Sequence, residues 1–218
     1  ISNRNMKTRK IRTALYNVLP GEKAHALMAP RPKYIEGIEG VHPCPPVNSA
    51  ILALIVPFEN ELALPLIKRV NRGKYHGGQI AFPGGKMEKE DADALQTALR
   101  ECHEEIGVPE EKVSILGVLS DIYIPLSNFN ITPIVGTTLQ LPDFILSQDE
   151  VEKVILVKLR DLFDDRNKTT HSFVRHDHKI IAPGYKIGEN FIWGATAMII
   201  AELEQLMKTN TFNHLGKL

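Results

Sequence analysis

The chain has 218 residues, 26 Lys+Arg against 26 Asp+Glu, with 43% apolar and 24% charged side chains. That length favours one domain, or one domain with an appendage, and suffices for a sizeable core. The composition excludes a disordered chain and, with only Cys44 and Cys102, a disulfide scaffold. A net charge of +0 gives no electrostatic argument for nucleic acid or an anionic membrane.

Residues 1–12 are cationic with no apolar stretch behind them, so they do not read as a secretory signal. Apolar spacing at Ile11, Leu15 and Val18 predicts a helix over 7–18, stopped by Pro20-Gly21. Pro30, Pro32, Pro43, Pro45 and Pro46 make 29–48 a connector. Runs 49–56 and 62–69 read as two strands of a hairpin around Phe58-Glu59-Asn60-Glu61. A loop-and-strand region follows, ending in Phe82-Pro83-Gly84-Gly85, and then a helix over 91–106. Strands are expected at 113–123, 130–137 and 151–156, with a helical turn at 159–163. Short strands at 173–175 and 179–182 flank a His-Asp-His turn, and 194–208 reads as a closing helix. Interspersed strands and helices argue an α/β (α+β) fold, divided as an N-terminal helix and connector over 1–48, a domain over 49–208 and a tail over 209–218. No apolar run reaches the roughly 20 residues of a membrane span. The cysteine content suggests reduced thiols, so the expected location is cytoplasmic, and the terminal Gly216-Lys217-Leu218 departs from a Ser-Lys-Leu peroxisomal address at its first position.

The helix over 91–106 carries the chemistry. Asp91 is placed to cap its first amides, and Gly107 with Pro109 marks its end. At about 100° per residue, Leu95, Leu99, Cys102 and Ile106 fall in an arc of roughly 60°, the core-facing stripe. Glu101, Glu104 and Glu105 share an arc of about 100° away from that stripe. Like charges one turn apart repel. A solvated face would tolerate them; a hard divalent cation such as Mg²⁺, which takes a few carboxylates, waters and substrate oxygens, would use them. The paired glycines 84 and 85 permit close approach of backbone to a metal or phosphate, and Arg100 can orient a neighbouring carboxylate.

Arg100-Glu101-Cys102-His103-Glu104-Glu105-Ile106-Gly107-Val108 resembles the second half of the Nudix box at every specified position. The first half departs: from Gly85 the loop is one residue longer than usual, and its acidic place falls to Asp91, Glu88 or Glu90. Within that superfamily the chain most resembles the coenzyme A pyrophosphatase branch. It shares Gly84-Gly85-Lys86-Met87-Glu88-Lys89-Glu90-Asp91 before Thr97-Ala98-Leu99-Arg100-Glu101, and upstream Leu66, Arg69, Gly78 and Phe82 to Gly85 agree. Lys74 takes an Arg position of that pattern, while Pro65, Ile67 and Val70 replace its Leu, Thr and Ser.

The resemblance implies an α/β/α sandwich with a mixed sheet and flanking helices. It further implies hydrolysis of coenzyme A or acyl-CoA to 3′,5′-ADP and 4′-phosphopantetheine products with Mg²⁺ or Mn²⁺. Alternatives are another nucleoside diphosphate derivative (ADP-ribose, a nucleotide sugar or an NTP) or a non-catalytic nucleotide-binding module. By the same resemblance Glu101, Glu105, Glu104 and the Gly85 carbonyl are metal ligands and Arg100 orients them, while Glu101, Glu104 or Glu150 serves as base. Lys68, Arg69, Arg72, Lys74 and His76 form a basic cluster, read either as a solvated run or as a clamp for substrate phosphates. His171, His176 and His178 have no common zinc spacing and read as a polar hairpin; His103 is expected to face solvent or a neighbouring strand. The partner is thus a small nucleotide, not nucleic acid or membrane, with oligomeric state open between monomer and homodimer.

Overall fold

The spacing at Ile11 and Leu15 does make a helix in the computed structural model, which describes residues 2–31, 44–71, 78–175 and 178–212. The helix, α1, is Ser2–Leu15, so it lies earlier than 7–18 and leaves Val18 almost fully exposed. A second helix that the pattern did not announce, α2 (Glu22–Met28), follows at once. It is too short for a periodicity to register, and is fixed by long-range contacts instead. His25 Nε2 lies 2.9 Å from Glu202 Oε2, and Oε1 of that carboxylate accepts from Gly21 N at 3.0 Å and Ser120 Oγ at 2.7 Å. Burial pushes the Glu202 carboxyl up, but these hydrogen bonds more than offset it, and it stays below its ordinary range.

Residues 50–56 are apolar at every position, so a strand there must be covered on both faces. It is the middle of β1 (Val47–Phe58), which turns through Glu59 and Asn60 into β2 (Glu61–Arg69). Both turn residues have positive φ, 44° and 64°, as a two-residue hairpin requires. Two short strands, β3 (Ile80–Ala81) and β4 (Gly84–Lys86), lead to α3 (Ala94–Ile106). The run expected at 113–123 is divided into β5 (Ser114–Val118) and β6 (Ile122–Ile124), and then comes β7 (Phe129–Thr137). After β8 (Val151–Lys158) and the single turn α4 (Leu159–Leu162) come β9 (Lys168–Arg175), β10 (His178–Ile187), β11 (Asn190–Trp193) and α5 (Gly194–Phe212). Residues 176 and 177, the tip of the expected His-Asp-His turn, and residues 32–43 of the connector expected over 29–48 lie outside the described residues.

The main sheet runs β3-β2-β1-β7-β5, with β8 beside β2, β4 beside β1 and β6 beside β7. Its β1–β7 pair is parallel and the others antiparallel, so the sheet is mixed. β1 feeds both faces. Ala50, Leu52, Leu54 and Val56 meet Ala98, Leu99, Cys102 and Ile106 of α3, whereas Ala53 and Ile55 join Ile11 and Leu15 of α1 and Ile199, Ile200 and Leu203 of α5. This is an α/β/α sandwich, and truncating any one of its fully buried leucines to Ala would cost about 2–5 kcal/mol. A three-stranded sheet, β11-β10-β9, adds Tyr185 and Ile192 to the α5 side. Among the described residues no helix is long and apolar enough to cross a membrane.

Candidate active site

The α3 helix begins later than expected. Its N-cap is Asp93, whose side chain accepts from Gln96 N at 2.9 Å; Asp91 has a different task. Gly107 ends the helix in the left-handed conformation, φ 71°, donating to His103 O, as its sequence signature indicated.

Asp91 is buried and faces Arg100. Its oxygens accept from Arg100 Nε at 3.0 Å and Nη2 at 2.9 Å, from Glu88 N at 2.9 Å and from Thr97 Oγ1 at 2.9 Å. The guanidinium hydrogen bonds hold the Asp91 carboxyl well below the usual carboxylate range. The remaining Arg100 donors reach Glu101 Oε1 at 3.0 Å, Glu104 Oε2 at 3.1 Å and the Lys86 carbonyl at 3.1 Å. Of the three acidic residues able to fill the first-half position, Asp91 is the one turned inward, while Glu88 and Glu90 are exposed.

The three helix carboxylates, alike on a helical wheel, occupy three environments. Glu104 is exposed, Glu101 half-buried and Glu105 fully buried. Gly84 sits at φ 156°, and a Cβ there would strike the Ala50 carbonyl, so a glycine is required. In this conformation its N–H donates to Glu105 Oε2 at 2.8 Å. A Cβ on residue 85 would run into the Glu101 carboxylate, so the absence of a side chain there lets backbone and carboxylate meet. Burial pushes the Glu105 carboxyl up to about 7, opposed by the charge of Arg69 and the Gly84 N–H and reinforced by repulsion from Glu101 and Glu150. Burial also raises Glu101, against the pull of Arg100 and with the push of Glu104 and Glu150.

These features decide whether the residues suit a divalent cation. Glu105 Oε1 is buried and accepts no hydrogen bond, although Arg69 Nη1 is 3.1 Å away as an ion pair. A buried carboxylate oxygen with an ion pair but no hydrogen bond, beside a second raised carboxylate, fits a hard cation. Among the described residues no three His, Cys, Asp or Glu side chains gather closely enough to hold an ion alone.

Two members of the basic cluster are among the described residues. Lys68 pairs with Glu152 at 2.6 Å and Arg69 turns to Glu105, while Arg72, Lys74 and His76 lie outside the described residues. His103 is exposed, and His171 stacks on Phe191 with ring centroids 3.8 Å apart. The side chains of His176 and His178 are not among those described. Two site contacts carried no sequence signal. The Arg69–Glu105 pair spans strand and helix, and Thr97 supports Asp91 from a position that reads as ordinary helix. The Asp91–Arg100 separation could have suggested a clasp, since an acidic residue shortly before the helix is within reach of an Arg two turns in.

The Nudix domain family matches residues 48–176. A protein of Enterobacter sp. (strain 638) described as an uncharacterized Nudix hydrolase, NudL, is 34% identical over 161 residues, covering 72% of this chain and 82% of its own length. A NudL protein of Pectobacterium atrosepticum is 35% identical over 158 residues, covering 72% and 80%. The crystal structure of a Nudix hydrolase from Nitrosomonas europaea superposes with a TM-score of 0.49 at 21% identity, covering 82% of this chain and 77% of that one.

Proposed function

The chain belongs to the Nudix family and is a hydrolase, and on that premise we propose that it is a metal-dependent pyrophosphohydrolase of coenzyme A or acyl-CoA, releasing 3′,5′-ADP and 4′-phosphopantetheine products. The observation carrying this reading is the folding of Arg100, Glu101, Glu104 and Glu105. Two carboxylates one turn apart are drawn out of water against the Gly84-Gly85 backbone, while Arg100 is clasped by Asp91. A bound Mg²⁺ or Mn²⁺ would offset the substrate's negative charge and lower the pKa of a coordinated water. In this reading Glu101 and Glu105 hold the ion, the Gly85 carbonyl and Glu104 complete the protein's share, and Arg100 fixes the direction of Glu101 and Glu104. Glu150, outside that ligand set, and Glu104, its exposed member, are the candidates to take the proton from water. Loss of the acidic limb in the kcat–pH profile of Glu104→Gln or of Glu150→Gln identifies which one does.

The coenzyme A assignment rests on the extended loop from Gly84 to Asp91 and the agreeing residues Leu66, Arg69 and Gly78. Of the departures from that branch, Pro65 and Ile67 are buried in β2, where they alter packing and not the surface a substrate meets. Both cysteines are free, which supports a reducing compartment such as the cytoplasm. The test is purified protein with Mg²⁺ or Mn²⁺, given CoA, acetyl-CoA, ADP-ribose and an NTP panel. Release of 3′,5′-ADP from CoA or acetyl-CoA is expected; turnover of ADP-ribose or an NTP with neither of these cleaved would overturn the substrate assignment.

A further inference from the structure

Arg69 ends β2 on the face that Ile67 turns toward α3. Its backbone is fixed on one edge, where its N–H donates to Gln79 O at 3.0 Å and its carbonyl accepts from Gly78 N at 2.9 Å. On the other edge the register against β8 slips between Lys68 and Arg69, so that Arg69 faces Val151. A bulge of this kind re-aims a side chain beside a site. The side chain, 31% exposed, brings Nη1 to 3.1 Å from Glu105 Oε1, the buried oxygen that accepts no hydrogen bond. Arg69 therefore neutralises Glu105 by charge while leaving the oxygen's lone pairs uncommitted. A divalent cation is drawn to the same oxygen, and the two cations repel each other. The side chain is only partly buried, and its planar fork suits a pair of phosphate oxygens better than a single carboxylate oxygen met off-axis.

We propose that Arg69 is a positioning residue that couples metal to substrate: its guanidinium yields Glu105 Oε1 to the divalent cation and, once displaced, pairs its N–H fork with the diphosphate. The inference rests on the metal site assigned to Glu101 and Glu105. It separates two properties of Arg69, its positive charge, which competes with the ion, and its fork, which binds the anion.

The test is Mg²⁺ affinity by isothermal titration calorimetry at pH 9, without substrate, for wild type, Arg69→Met and Arg69→Lys, with unfolding temperature and the KM and kcat for CoA measured in parallel. Arg69→Met should bind Mg²⁺ about tenfold tighter, a size usual for site-to-site coupling, while melting lower in EDTA. Arg69→Lys, which keeps the charge, should bind Mg²⁺ as wild type does, and both variants should show a raised KM. A merely structural role would weaken metal binding along with melting temperature. Equal or weaker Mg²⁺ affinity in Arg69→Met overturns the inference and leaves the metal site standing. Absence of Mg²⁺ binding in the wild type overturns both.

Discussion

Glu105→Gln isolates the price of holding a buried charge. Lifting this carboxyl from 4.5 to about 7 means that ionising it in the folded chain costs about 3 kcal/mol more than in the unfolded chain. The side chain is fully buried, so solvent does not screen that cost. Because the folded chain binds this proton more tightly, the stabilisation is fully present below about pH 4.5 and is lost as pH rises through about 7. Gln keeps the shape and an acceptor for Gly84 N–H but cannot ionise. In EDTA, urea denaturation at a series of pH values should therefore show the variant gaining on wild type by up to about 3 kcal/mol between pH 4.5 and 8. Saturating Mg²⁺ should reverse the trend for wild type alone, by about 2.7 kcal/mol at a hundred times Kd. Turnover of the variant should fall at least about 100-fold, the upper end of what even outer-sphere changes cause. Two stability curves that run parallel from pH 4.5 to 8 would refute the reasoning, since Glu105 would then ionise in the folded chain at no extra cost.

Asp91→Asn removes half of the clasp on Arg100; we expect a loss of about 2 kcal/mol at pH 7, with kcat reduced and Mg²⁺ still bound. Since Asp91 is held below the ordinary range, this difference should persist at neutral pH and close only on acidification past about pH 4, followed by chemical denaturation. Gly84→Ala combines an unfavourable φ with a collision at the Ala50 carbonyl and should cost about 3 kcal/mol or more, read as a lowered melting temperature. Burial pushes the Cys102 thiol up to about 12 while Cys44 is exposed. Native protein should thus release one equivalent of thionitrobenzoate per chain at pH 8 and two in urea; two equivalents from native protein would show α3 to be less firmly docked than described.

Local patterns in the sequence carried the elements that satisfy themselves locally. The apolar run of β1, the Glu59-Asn60 turn and the Gly107 stop were legible because each depends on neighbours in the chain. The division of 113–123 into two strands was not, since the break is set by pairing with β7. Nor was α2, whose position is settled by Glu202 from the far end of the chain. Within the candidate site, the motif pointed to three carboxylates but treated them as one face. Their separation into exposed, half-buried and buried groups arises from what Gly84, Gly85 and β2 place against the helix, which periodicity does not encode. The same limit explains why Asp91 read as a cap: Asp93 was equally eligible, and only the approach of Arg100 decides between them.

The Asp91–Arg100 clasp also divides the residues before α3 into an anchored end and a free span. Gly84, Gly85 and Lys86 are paired with β1, Asp91 is tied to α3, and between them Glu88, Lys89 and Glu90 face solvent. Such an arch can be lengthened or recoloured without shifting either footing. The extra residue in this chain falls in that arch, so the longer loop is accommodated while the carboxylates behind it stay fixed.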